Sequence, residues 1–321
     1  MMDLRELQSI NKYKNRFTVL FILDMLMALV FISCLVISAL ADKVGSCIAI
    51  AFLFSTVALV ILIIGFFSLN KAMDSLLSYV LSQFPDWKKE SKTNKPNYDL
   101  KADLLLNKNL LLSILPVYKK KQELRIMNNF FNDLKSISTI YYSEYEKHTH
   151  KDEDGRIKTS HEYTYEFEAP LIAVKNTKNL NSITYFQTNN YPQKTDKEIM
   201  NETSTLALPK TDLPNTAEFN IDAYTNNTNV AEKLATKELF STMQNIKEQF
   251  NLFYVKAVFG NDYIFFILRG KNRNSFKWIF PLYITIPWFK SIDYPLLDKA
   301  VNNFKLLTDL ANQAPEFTKN I

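Results

Sequence analysis

The sequence predicts a membrane-anchored α+β fold: a two-helix transmembrane hairpin, then a cytosolic domain with a mostly antiparallel sheet and flanking helices. Three observations predict it. Two long apolar segments, Phe17 to Leu40 and Val44 to Leu69, stand side by side near the start of the chain. From Ile137 onward, several segments alternate apolar and polar residues, which is the period of strands. Among and after them lie stretches with apolar residues every three or four positions, the period of amphipathic helices.

As a helix, each apolar segment reaches ~35 Å at a rise of ~1.5 Å per residue, enough for a hydrocarbon core of about 30 Å. Only Ala41, Asp42 and Lys43 separate the two, so the chain crosses, turns and returns. Arg5, Lys12, Lys14 and Arg16 precede the first segment, and Lys71, Lys88, Lys89, Lys92 and Lys95 follow the second. Basic flanks stay on the cytoplasmic side, which places both termini in the cytoplasm of a two-span inner-membrane protein. A signal-peptide reading of Ala39-Leu40-Ala41 fits poorly, because the apolar stretch and its lead are too long. The only two cysteines, Cys34 and Cys47, both lie in the apolar segments, so no disulfide framework exists. Asp24 is the one carboxylate inside the first span. Such a group marks an ion path or a partner contact, although a depth of ~10 Å also leaves it close to the hydrated interface. Ser33, Ser38, Ser55, Thr56 and Gly65 are small residues that can line a helix–helix contact.

The expected organisation is a cytosolic lead at 1–16, the hairpin at 17–69, membrane-proximal helices and linker at 70–135, the α+β domain at 136–315 and a tail at 316–321. The second helix continues past Lys71 until Pro85, and the polar stretch 88–97 is a linker. Leu100 to Tyr118 and Lys119 to about Leu134 read as helices. Ile137 to Lys147 and Thr159 to Val174 read as strands joined at Asp154-Gly155, a hairpin dipeptide. Ser182 to Thr188 and Phe219 to Tyr224 are further strands, with a polar loop at 189–201. Asn229 with Glu232 forms a capping box that opens a helix running to Phe250. Phe253 to Phe259 and Tyr263 to Leu268 form a hairpin around Gly260-Asn261-Asp262. Pro281 to Ile286 is one more strand, and a helix from Pro295 to Gln313 buries Leu297, Val301, Phe304 and Leu307.

This order of elements resembles the bacterial domain-of-unknown-function family 3137. The residues that carry the resemblance are Ser143-Glu144 at a strand end, a charged hairpin, and Phe167 to Leu171. It continues through AEFNIDAYTNN at 217–227, LATKELFSTM at 234–243, FYVKAVFGNDYIFFIL at 253–268, YITIP at 283–287 and the helix near Tyr294. Where that family tends to show a glycine before the leucine, this chain has Glu168-Ala169-Pro170. The resemblance implies two N-terminal spans before a cytosolic α+β domain, and it implies no activity.

Five glycines, at 45, 65, 155, 260 and 270, are too dispersed to cradle a phosphate. The chain has no P-loop, no dinucleotide fingerprint and no GxSxG elbow. All three histidines fall in one hairpin: His148, His150 and His161. If Asp154-Gly155 is a two-residue turn, His148 faces His161 and three imidazoles converge, which suits zinc. A one-residue slip undoes this, and Lys147, Lys151 and Lys158 repel a cation. Glu144, Glu146, Glu162, Glu166 and Glu168 alternate with aromatics, as a solvated strand face does. Aromatics at 276–289 beside Lys271, Arg273 and Lys277 can stack single-stranded nucleic acid, but a strand core beside a basic loop is the plainer account. The net charge of +5 hugs the membrane and suits anionic headgroups better than nucleic acid.

The function expected is that of an integral membrane protein offering a cytosolic interaction domain to a protein partner. The lipid bilayer is its other partner; no nucleic acid, metal or cofactor is expected, and homo-oligomers are left open. One alternative is an accessory subunit of a transport or channel assembly in which Asp24 matters. Another is an enzyme with an unrecognised site at the histidine hairpin.

Overall fold

A computed structural model describes residues 4–40, 44–90, 121–151, 157–188, 208–270 and 291–321. The side chains of 4–6, 35, 37–40, 44–54, 121–129, 142–147, 150–151 and 157–168 lie outside that description. So do the expected helix at 100–118, the loop at 189–201, the strand at 281–286 and the basic aromatic stretch at 271–289. In order, the elements are α1 (Leu4–Leu40), α2 (Val44–Ser82), β1 (Lys88–Lys89), β2 (Lys121–Asn132), β3 (Lys135–Lys151), β4 (Ile157–Lys175), β5 (Thr184–Thr188), β6 (Ile221–Thr225), α3 (Thr228–Leu234), α4 (Lys237–Gln249), β7 (Leu252–Phe259), β8 (Tyr263–Gly270) and α5 (Tyr294–Gln313). They divide into two compact units, Met1–Pro85 with Ile284–Val301 and Asp86–Tyr283 with Asn302–Ile321.

In the first unit, α1 and α2 lie side by side and each outruns the apolar segment that seeds it. Two burial patterns meet along them. In one stretch of the pair the apolar residues face inward: Ile10, Phe17, Leu69, Ala72, Leu76 and Val80 are buried, together with Lys14 and Ser68, while Lys12, Arg16, Asn70, Lys71 and Asp74 are exposed. From Val19 to Val36 and from Val57 to Phe67 the order inverts. Val19 is 64% exposed, Leu29 60% and Phe67 66%. The two helices switch at the same level, because the Phe17 ring lies 6.2 Å from that of Phe66 and Lys71 Nζ lies 5.7 Å from the centre of the Tyr13 ring. Gly65 is buried against Phe17, whereas Ser33, Ser55 and Thr56 are exposed. Asn11 ties α1 to the residues before α5: its amide nitrogen donates to the Ile292 carbonyl (2.9 Å), and its amide oxygen accepts from the Ile292 N–H (2.7 Å). Asp293 caps α5 by accepting from the Leu296 N–H at 3.1 Å.

In the second unit the strands form one eight-stranded sheet, in the order β1-β2-β3-β4-β8-β7-β5-β6. Every pairing is antiparallel. One face carries Phe130, Phe186, Phe259 and Phe266. Phe186 meets Phe240 of α4 edge-on at 5.2 Å, Phe130 meets Phe304 of α5 at 5.8 Å, and Phe266 meets Phe317 at 6.4 Å. Trp87 packs on Phe304 at 6.0 Å. In this glycine-poor chain, asparagine and aspartate take the left-handed positions: Asp133, Asn181, Asn215, Asn220 and Asn251 all have positive φ. Their short polar side chains tolerate that region better than other non-glycine residues do.

Three expectations are corrected. The stretch 119–134 is not a helix: Lys121–Asn132 is a strand, turned into β3 through Asp133-Leu134. Its Leu124 and Met127 fit a helical period, but burial of Phe130 and Phe131 decides in favour of the sheet. The helix expected from Asn229 to Phe250 is two helices, broken at Ala235-Thr236. Asn227, not Asn229, caps the first by accepting from the Val230 N–H, and Thr236 caps the second by accepting from the Leu239 N–H. The third correction is the register of the histidine hairpin.

Candidate functional site

The β3–β4 pairing follows the expected register near the sheet body, where Glu144 lies opposite Tyr165. One step on, Tyr145 lies opposite Tyr163, so Thr164 is an extra residue in β4. Beyond this bulge the register is offset by one. His148 lies opposite Ser160, His150 opposite Lys158, and His161 opposite Lys147. In this register His161 is out of phase along the ribbon with His148 and His150. His148 is exposed, and the side chains of His150 and His161 lie outside the described residues. Of the expected carboxylates, Glu146 and Glu162 are directly opposite in register, with their side chains likewise outside the description. Among the described residues no three of His, Cys, Asp and Glu gather as metal ligands do. Asp24 is half-buried on α1, within the stretch where apolar residues face outward.

A different polar group lies on the sheet face opposite the one that meets α4. Tyr185 and Tyr224 are cross-strand partners of β5 and β6, their rings stacked at 4.6 Å and 16°. Lys256, opposite Gln187 on the neighbouring β7, is only 5% exposed. Its Nζ lies 5.1 Å from the centre of the Tyr185 ring and 5.6 Å from that of Tyr254. Such contacts offset part of the desolvation of a buried ammonium. Arg269 of β8 lies opposite Tyr254 and is also buried. Alternation puts Tyr185, Tyr224, Lys256, Tyr254 and Arg269 on one face.

No family model, no curated protein and no solved structure matches the chain.

At the outer edge of this face, Asp222 pairs with Lys210, which bridges β6 at Tyr224. The hydrogen bond to Asp222 holds Lys210 above its ordinary 10.5, with burial opposing. Burial pushes the Tyr224 phenol above its ordinary 10.0, helped by the Asp222 charge and opposed by Lys210. Both folded values are raised, so the stability they contribute is full below 10.0 and 10.5 and is lost as pH rises through the raised values. The Lys210 side chain is 57% exposed, which keeps the pair below about 1 kcal/mol. Asp222→Asn is therefore expected to lower the urea midpoint slightly at neutral pH. The gap from wild type narrows as pH rises through the raised Lys210 value; a constant gap in titrated midpoints would remove the pair as its source.

Sequence reading missed this group, although a signal was there. Lys256 is the single charge in LFYVKAVF, and Arg269 breaks the apolar run YIFFILRG. A lone cation in a strand buried on both faces is the mark. Chemically, two buried cations among tyrosines suit a carboxylate or another anion.

Proposed function

We propose that α1 and α2 anchor the chain in a bilayer and that the sheet unit serves, on the cytoplasmic side, as a binding module for a protein partner. The anchor rests on one observation: only 6% of the most apolar window of α1 is buried. The core helix of a water-soluble protein hides its leucines and valines, because exposure costs about 25 cal/mol per Å². Here Val19, Leu29, Val36, Leu59 and Phe67 all point outward. Two hydroxyls in or beside the outward apolar stretches bond to their own helix. Ser33 donates to the Leu29 carbonyl at 2.9 Å and Ser68 to that of Ile64 at 3.0 Å, as backbone satisfaction in lipid requires. Lys12, Arg16 and Lys71 beside the apolar stretch favour a cytoplasmic location for both helix ends, in a bacterial inner membrane.

The partner is supported by the β3–β4 ribbon. β8 flanks β4 only over Leu171–Lys175, so among the described residues 157–170 has a strand neighbour on one side alone. Pro170, which lacks an N–H, stands where that ladder stops. The bulge and the charges along the ribbon guard its edge against indiscriminate pairing.

The test is a photo-crosslinking amino acid at Thr149, activated in native membranes. One discrete adduct at stoichiometric yield is expected. No adduct in repeated preparations would contradict the partner, and an adduct formed only from position 24 would move the role to the hairpin, as in a transport accessory.

A further inference from the structure

On the membrane reading above, we propose that Lys12, Arg16 and Lys71 form a binding site for anionic phospholipid headgroups that fixes the depth of the hairpin. The level of the site is set by the inversion of burial. On α1 it falls between Arg16 and Val19, and on α2 between Phe67 and Asn70. The contacts of Phe17 with Phe66 and of Lys71 with Tyr13 bring the two transitions side by side. Outward apolar residues then run from Val19 to Val36, ~26 Å along the helix, close to the thickness of a hydrocarbon core. All three cations are exposed and lie just outside this belt. Lys12 and Arg16 are one turn apart on α1. Lys71 Nζ lies over the ring of Tyr13, a residue type found at the interfacial level of membranes.

The balance of charge names the lipid. Among the described side chains of α1 and α2, one carboxylate is exposed beside these three cations, Asp74, a turn further from the apolar belt. Long basic side chains can keep their stems along apolar surface while their heads reach the phosphates. A zwitterionic headgroup offers them no net charge. An anionic one gains on the order of fivefold in affinity for each engaged cation near the surface.

The test uses the full chain reconstituted in phosphatidylcholine vesicles with trace spin-labelled phosphatidylglycerol or phosphatidylcholine. Electron spin resonance of the protein-bound fraction then reads the relative affinity of the two lipids. A preference for phosphatidylglycerol of at least about fivefold is expected, weakened in about 1 M salt and unaffected by excess inorganic phosphate. It falls to near parity in the Lys12→Gln, Arg16→Gln, Lys71→Gln variant. Wild type without preference, or a triple variant that keeps it, overturns the lipid site. If the triple variant does not insert, Lys71→Gln alone is read in the same way: a partial fall supports the site and no change overturns it. Loss of the preference to inorganic phosphate would make the ligand free phosphate and overturn the lipid assignment. Wild type that fails to float with either vesicle removes the membrane reading itself, an outcome distinct from flotation without preference.

Discussion

Leu29→Arg is expected to drive the hairpin out of the membrane. Leu29 is 60% exposed and lies midway along the apolar part of α1. Arginine at the centre of a spanning helix costs about 2.5–3.5 kcal/mol on insertion scales, on the order of a hundredfold in the insertion equilibrium. In water the same change at an exposed position shifts stability by only about 0.5 kcal/mol. The two environments therefore give opposite outcomes. Alkaline carbonate extraction of membranes reads them directly: wild type stays in the pellet and Leu29→Arg appears in the supernatant or is degraded. Equal retention of both chains would mean that Leu29 faces something other than lipid.

The second large effect concerns the sheet unit. Phe186→Ala is expected to destabilise it by about 3–5 kcal/mol. Phe186 is fully buried on β5, edge-on to Phe240 at 5.2 Å and to Phe259 at 6.0 Å. It joins the helix layer to the sheet, and the alanine leaves a cavity that the surrounding rings close poorly. Phe186→Leu, which keeps most of the volume, should cost about 1.5 kcal/mol or less. Amide exchange across β5, β6 and β7 in the full chain is the measure. A loss below about 1 kcal/mol for the alanine variant would show that this contact is not what holds α4 to the sheet.

What the sequence revealed, and what it hid, follows the physics of each element. The two N-terminal helices were legible because apolar runs of that length far exceed what a strand or an amphipathic surface helix needs. β7 and β8 were legible because two short apolar runs, rich in aromatic and β-branched residues, flank a Gly-Asn-Asp turn. β2 was misread because KQELRIMNN satisfies a helical period as well as a strand period. Only the burial of Phe130 and Phe131 separates the two, and that is a long-range fact. The break at Thr236 was hidden in a run of good helix formers, although its capping hydroxyl is a local signal. The register of the histidine hairpin was hidden for a subtler reason. Its turn chemistry favours one register, and a single inserted residue at Thr164, with no sequence signature, supplies another. The buried Lys256 and Arg269 were visible as isolated charges in apolar strands, but their aromatic neighbours come from β5 and β7, far apart in the chain.

The most direct test of the membrane account is a thiol-accessibility scan along both helices. With Cys34 and Cys47 replaced by serine, single cysteines are placed by Asn15→Cys, Val19→Cys, Leu29→Cys, Val60→Cys, Phe67→Cys and Asn70→Cys, and native membranes are treated with a water-soluble maleimide. The account predicts fast labelling at positions 15 and 70 and protection at 19, 29, 60 and 67, with both transitions at one level. Uniform labelling at all six positions would contradict it, since it would put the outward leucines, valines and phenylalanines in water.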